Sequence, residues 1–257
     1  MKKIILAVAA LSLLSGCGKI IENAIKKNPE IVFNAIKEDP RGFMNAVNST
    51  REQMEKMAAE DAQKQEAQEL EDAFNNPMSP DVANRPFLGK SDAPITIVEY
   101  ADFACGYCGR AKGTLEQVRK EYGDKVRFVY KHFPVLGVPA SLTASKMMEA
   151  MTRFDVEKAY KFNSIVFENQ GKLRDEKAGT EFLKSEARKL MGAKYNEVIK
   201  LSESKEIEEA INADIAEASG KFQLRGTPAF NINGVFLKGA YPFDKFKEVI
   251  DRHLQKN

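Results

Sequence analysis

The sequence predicts an α/β fold over residues 87–257, preceded by an all-helical N-terminal segment, and three stretches carry that expectation. Ile95-Thr96-Ile97-Val98-Glu99-Tyr100 is apolar and β-branched enough for a buried strand. Ala111 to Tyr122 is rich in helix formers and leads to a second strand, Val126-Arg127-Phe128-Val129-Tyr130. Strand, helix and strand in this order imply a right-handed crossover and a parallel pair. From Pro139 to about Gly220 the pattern is helical throughout. The chain then returns to strands at Ala229–Ile232 and Val235–Leu237, and Asn233-Gly234 between them is a strong two-residue hairpin signal. A last helix, from Phe243 to about Leu254, closes the domain.

The N-terminus reads as a processing segment. Lys2 and Lys3 precede an apolar run from Ile4 to Leu14, too short for a permanent membrane span, so residues 1–16 are expected to be a signal peptide. Leu14-Ser15-Gly16-Cys17 resembles a bacterial lipobox. That resemblance implies lipid attachment at Cys17, which becomes the first mature residue, and a periplasmic location. Gly18 replaces the Asp that resembles an inner-membrane retention signal, so an outer-membrane anchor is expected.

Residues 17–75 are expected to form a helical oligomerisation segment and spacer. Asn23-Ala24-Ile25, Asn34-Ala35-Ile36 and Asn45-Ala46-Val47 recur every 11 residues, with Pro29 and Pro40 at the same offset. A polar residue followed by Pro is a helix start, which predicts short amphipathic helices joined by tight turns. Ile21, Ile25, Ile31, Val32, Phe33, Ile36, Phe43, Met44 and Val47 are many apolar side chains for so short a segment. A piece of under about 40 residues seldom folds alone, so a partner is expected: the catalytic domain, another protein or, preferably, a second copy in a homodimer. From Ser49 to Phe74, Glu, Gln, Lys, Ala and Met predict an exposed helical spacer, its apolar face too thin for a core. The breaker-rich Asn75-Asn76-Pro77-Met78-Ser79-Pro80 places a domain boundary there and a linker over residues 76–86.

A hydrophobic content of 43% supports a soluble core, and a net charge of +2 gives no electrostatic case for nucleic acid. Export favours disulfides, yet only Cys105 and Cys108 remain for the folded domain. A bridge across two residues removes little unfolded-chain entropy, so a purely structural role explains it poorly. A closed zinc site takes four ligands, and the chain adds only His132 and His253 to this pair. Redox chemistry remains, with no metal and no cofactor beyond the cysteine pair itself. Both histidines are read as structural or solvated, and Arg110 and Lys112 as parts of a solvated helix face.

A strand, Cys105-x-x-Cys108 at a helix start, a helical insertion over about 139–220, Gly226-Thr227-Pro228, a hairpin and a final helix together resemble the DsbA-like branch of the thioredoxin fold. The resemblance runs from Phe87 to the C-terminus, and the N-terminal extension is similar to that of DsbA-like proteins with an oligomerisation segment. Cys105, beside free N–H groups and the positive helix end, is then the exposed nucleophile with a lowered pKa. Cys108, one turn on, is the buried resolving cysteine. Gly106 and Tyr107 set the redox poise and, with Thr227 and Pro228, meet the substrate. Pro228 matches the family's cis-proline. Glu99 lies six residues before Cys105, where thioredoxin-like proteins carry a buried carboxylate that relays the resolving cysteine's proton.

Gly106-Tyr107, Thr before the proline and the oligomerisation segment are each similar to disulfide isomerases of the DsbC kind. The resemblance therefore implies a disulfide isomerase with some dithiol oxidase activity, acting on exported cysteine-containing proteins. Its membrane redox partner would be a DsbD-like reductase or a DsbB-like oxidase. Two competing readings are a DsbA-type oxidase whose extension is only a spacer, and a surface lipoprotein with a mainly structural role.

Overall fold

The computed structural model describes residues 26–255, so the signal segment, Cys17 and the first copy of the 11-residue repeat lie outside the described residues. The chain divides into two compact units, with the division between Gln68 and Glu69.

In the first unit, helix α1 (Glu30–Glu38) begins after Pro29 and stops at Asp39, which adopts a non-helical conformation. Helix α2 (Pro40–Asn75) starts with Pro40 in its first turn. Both prolines thus stand at helix starts, where a missing N–H costs nothing. Asp39 caps α2 by accepting the Gly42 N–H at 2.8 Å. The third repeat and the spacer are one uninterrupted helix rather than two pieces, because no breaker separates Val47 from Asn75. None of α1 is buried. Phe33, Phe43, Met44, Val47, Met54 and Met57 are all exposed.

The second unit begins inside α2. Leu70 and Phe74 join a core formed with Phe246, Val249 and Ile250, and Arg252 lies over the Phe74 ring at 3.9 Å. The apolar face expected to be too thin for a core is therefore a core element in its last two turns, and the boundary lies upstream of Asn75. Residues 76–86 are likewise no slack linker. Met78 N–H donates to the Gly234 carbonyl at 2.9 Å, Asn231 donates to the Met78 carbonyl, and Asp81 N–H donates to Glu217 at 2.8 Å. Arg85 pairs with Asp214 at 2.8 Å and Glu149 at 3.2 Å. The segment is a strap fastened by the backbone N–H groups of Met78 and Asp81 and by the Arg85 side chain.

The sheet has the order β1-β3-β2-β4-β5, with β1 (Phe87–Gly89), β2 (Ile95–Ala101), β3 (Val126–His132), β4 (Ala229–Ile232) and β5 (Val235–Lys238). Only β2 and β3 run parallel, joined through helix α3 (Gly106–Tyr122) as the strand–helix–strand pattern requires. β2 is central: Ile95 and Ile97 pack with α3 and the last helix, while Val98 and Tyr100 meet Phe222 and Leu224 on the other face. That two-sided burial explains its continuous apolar run. Asn233 and Gly234 have φ of 46° and 98°, as a two-residue hairpin turn needs. A Cβ on Gly234 would also lie 2.6 Å from Pro77 of the strap.

Between β3 and β4 come helices α4 (Pro139–Thr152), α5 (Val156–Glu168), α6 (Glu176–Met191), α7 (Tyr195–Ser202) and α8 (Lys205–Ala216). Asp155, Asp175 and Ser204 cap three of them with side-chain acceptors. Met147, Met148, Met151, Phe162, Leu183 and Ile211 make the insertion's core, which also encloses Phe103 and Cys108. Helix α9 (Phe243–Gln255) closes the unit. No helix among the described residues is long and apolar enough to cross a membrane.

Candidate active site

The site is built where β2 hands the chain to α3. Asp102 organises the turn between them: its carboxylate accepts the Ala104 N–H at 2.8 Å, the Leu136 N–H at 2.9 Å and the Ser141 hydroxyl. Its carbonyl takes the Cys105 N–H at 2.9 Å. This Asx-type turn leaves Cys105 extended as the N-cap of α3, with φ −79° and ψ 113°. Helix α3 begins at Gly106, five residues before the helix-rich composition does.

Cys105 and Cys108 are both free thiols. Cys108 is fully buried, as a resolving cysteine requires, whereas Cys105 is 6% exposed rather than openly exposed as expected. The difference arises because Cys105 Sγ lies against the peptide before Pro228, 3.2 Å from the Thr227 carbonyl oxygen. The Thr227-Pro228 bond is cis. Gly106 and Tyr107 stand on the solvent side, with Tyr107 60% exposed and Arg110 stacked over its ring at 3.9 Å.

Electrostatics split the two sulfurs. The Cys105 pKa is lowered to about 5: the hydrogen bond from Cys108 contributes most, burial opposes it, and Thr227 and the backbone N–H groups of Cys108 and Tyr107 add to it. Burial pushes the Cys108 thiol far up, reinforced by its bond to Cys105 and by the nearby Glu99 carboxylate. At neutral pH the pair therefore holds one thiolate, on Cys105.

Glu99 is buried beneath the pair, and burial raises its pKa against the pull of Lys112. Lys112 donates to Glu99 Oε2 at 3.2 Å, and Oε1 has no hydrogen-bond partner among the described residues. Lys112 is thus no member of a solvated face. Cys105, Cys108 and Lys112 follow i, i+3, i+7 spacing, so the helix turns all three toward the sheet. Glu99, Lys112 and Tyr130 line a cleft of about 350 Å³ between α3 and α5.

The cysteines, Glu99, Thr227 and Pro228 therefore come together, Gly106 and Tyr107 border them, and Cys17 lies outside the described residues. Of the two readings given for His132, structural or solvated, the structural one holds, within a network of charged partners. His132 is buried with Nε2 3.3 Å from Glu149, its backbone N–H donates to Asp214 at 2.9 Å, and Arg85, Lys131 and Arg153 complete the network. Burial opposes it, yet His132, Arg85 and Arg153 hold the Glu149 carboxyl down at about 2. This network joins strap, sheet and insertion and does not touch the thiols. His253, in α9, has Nε2 3.0 Å from the Ile232 carbonyl oxygen and its ring beside Phe74.

A model of the family described as Thioredoxin matches residues 81–252. The chain belongs to the thioredoxin family. Probable disulfide bond formation protein D of Bacillus cereus is 32% identical over 173 residues, covering 66% of this chain and 78% of that relative. Among solved structures, oxidised BdbD from Bacillus subtilis superposes with a TM-score of 0.62 at 22% identity, over 70% of this chain and 97% of that one. ScsC of Proteus mirabilis, in a transitional conformation, gives 0.57 at 20% identity, over 90% of this chain and 95% of that one. Within the thioredoxin family this member is a DsbA-like thiol–disulfide oxidoreductase, with the helical insertion and the preceding helix that the sequence led us to expect.

Three contributors were missed from sequence. Lys112 had a signal in its helical spacing, and Asp102 in its position two residues before a turn amide. Gln170, which contacts this loop from the insertion, lies 65 residues from Cys105 with no local signature.

Proposed function

We propose that the protein is an exported disulfide isomerase with some dithiol oxidase activity. The observation that carries the thiol-exchange chemistry is the asymmetry of the pair: a Cys105 thiol lowered to about 5, chiefly by the hydrogen bond from Cys108, against a buried Cys108 thiol. The Cys105 thiolate attacks a client disulfide, forming a mixed disulfide as the client's S–S bond breaks and its other sulfur leaves as thiolate. In isomerisation a different client thiolate attacks the client sulfur of that bond, which returns Cys105 as thiolate with no net redox change. If the client does not rearrange, Cys108 gives its proton to Glu99 and attacks the Cys105 sulfur. The client leaves reduced and the enzyme holds the Cys105–Cys108 disulfide. Oxidation of a dithiol client is this sequence reversed. No cofactor beyond the pair takes part.

Supporting the isomerase assignment are Gly106-Tyr107, Thr227, and the apolar surface of α1 and α2, which suits association with a second copy into a homodimer. Two linked sites raise the effective concentration of one around a client held by the other. Exposed Tyr107, Val135 and Leu136 offer apolar contact to an unfolded, exported cysteine-containing client. The signal and Cys17 support a periplasmic, lipid-anchored location on the outer membrane, and a DsbD-like reductase or DsbB-like oxidase would reset the pair.

The same low thiol pKa favours a second reading, an oxidase alone, since stabilising the reduced form makes its disulfide a stronger oxidant. Light scattering on the full-length protein and on a chain beginning at Glu69, each assayed for refolding of a scrambled-disulfide substrate and oxidation of a reduced peptide, separates the two. The isomerase reading expects an oligomer that reshuffles and a monomeric domain that only oxidises. A monomeric full-length protein that oxidises quickly and reshuffles nothing overturns it.

A further inference from the structure

Gln170 opens a short 3-10 turn, Gln170–Arg174, between α5 and α6 of the insertion. Its Nε2 donates to the carbonyls of both Phe103 and Cys105, each at 2.8 Å. Two carbonyl acceptors can be served only by the –NH₂ end of the amide, so the orientation of the side chain is settled by chemistry. The other end, Oε1, then faces Gly109, where an added Cβ would sit 2.6 Å from it. The Cys105 carbonyl is shared, because it also accepts the Gly109 N–H at 3.2 Å in the first turn of α3. No side chain caps this helix. The Cys105 carbonyl is therefore held by that first turn on one side and by Gln170 on the other.

We propose that Gln170 is a positioning residue for the redox chemistry: it grips the two carbonyls flanking Ala104 so that the N–H groups of Tyr107 and Cys108 converge on Cys105 Sγ. Position 109 is glycine because a side chain there would expel the amide. Without the grip, the Phe103 carbonyl loses its donor and turns to find another, the Cys105 carbonyl keeps only the Gly109 N–H, and the peptide planes that aim the N–H groups turn with them. The thiolate then loses stabilisation although no group touching the sulfur has changed. This rests on Cys105 being the reactive thiolate, and its readout is a titration, so it is decided separately from whether the protein isomerises or oxidises.

The test is the pH profile of Cys105 alkylation, with ultraviolet thiolate absorbance alongside, in reduced wild type, Gln170→Ala, Gly109→Ala and the double variant. Gln170→Met, which keeps the bulk but has no donor, guards against a cavity effect, and thermal unfolding reports the fold of each. Both single substitutions are expected to move the midpoint upward and slow alkylation below neutral pH by roughly three- to tenfold, about what one or two neutral hydrogen bonds supply. Gln170→Met should match Gln170→Ala. The double variant should shift no further than Gln170→Ala alone. Gly109→Ala should destabilise in the presence of Gln170 and stabilise in its absence, because alanine is otherwise the better helix residue. A Gln170→Met profile that overlays wild type, or single shifts that add in the double variant, overturns the proposal. Should either Gln170 variant fail to fold, Gly109→Ala decides alone: an unmoved midpoint sinks the assignment.

Discussion

Helix α2 has much the same charged and polar composition along most of its length, yet its two ends obey different rules. Between Pro40 and Gln68 the large apolar residues Phe43, Met44, Val47, Met54 and Met57 are 42–65% exposed, whereas Leu70 and Phe74, beyond Gln68, are 6% and 8% exposed. The difference teaches that propensity makes the helix and a partner makes the core. Leu70 and Phe74 have Phe246, Val249 and Ile250 to pack against. The apolar side chains upstream are those that support a second copy as their partner.

The sharpest way to break this division of labour is to remove chemistry from one unit and assembly from the other. Cys105→Ser abolishes thiol exchange, since the thiolate is the nucleophile, and leaves the oligomeric state by light scattering unchanged. Val47→Glu does the converse for the proposed homodimer: a charge placed in its apolar interface is not tolerated, so the expected outcome is a monomer whose Cys105 alkylation rate stays at the wild-type value. A change in that rate would show that the first unit shapes the thiol site.

The boundary inside α2 is tested by stability. Phe74→Ala lowers the urea unfolding free energy of the second unit by about 3 kcal/mol. Met54→Ala, at an exposed site, changes it by less than about 0.5 kcal/mol in a monomeric background. It follows that a chain trimmed to begin at Asn76 is expected to be measurably less stable than one beginning at Glu69.

Smaller effects come from the titrating groups. Cys105 has a folded pKa of about 5 against an ordinary value of 9.0, so between these the unfolded chain binds the extra proton. Stability of the reduced protein therefore rises as pH increases through this window and is fully present above it. Cys105→Ser flattens that slope in urea titrations. Glu99 runs the other way. Its raised pKa makes the folded state hold a proton the unfolded chain has lost, so its contribution declines as pH rises above 4.5. Glu99→Gln removes this decline and slows decay of the mixed disulfide, measured by quenched-flow trapping.

How much of this was legible in the sequence depends on how local the determining contacts are. The strand-to-helix placement of Cys105 and Cys108, the Asn233-Gly234 turn and the helix starts at Pro29 and Pro40 rest on neighbouring residues and were readable. Lys112 was readable in principle, since its spacing from Cys108 puts it on the same helix face. What escaped was long-range. Leu70 and Phe74 look like a thin stripe until α9 is laid against them, and His132 looks solitary until Glu149 and Asp214 arrive from the insertion. The degree of Cys105 exposure escaped for the same reason, being set by the Thr227 peptide 122 residues away.

The strap over residues 76–86 has a consequence for how the chain is cut. Its small and polar residues have the composition of a loop that proteases nick, yet Met78 and Asp81 have their N–H groups bonded to Gly234 and Glu217, and Arg85 is fastened to Asp214 and Glu149. A protease must draw the chain around the cut into its cleft in extended form, which here means tearing the strap from the hairpin and the insertion together. The first nick under limited proteolysis therefore belongs upstream of Glu69, and the fragment that survives keeps Leu70, Phe74 and every residue of the redox site.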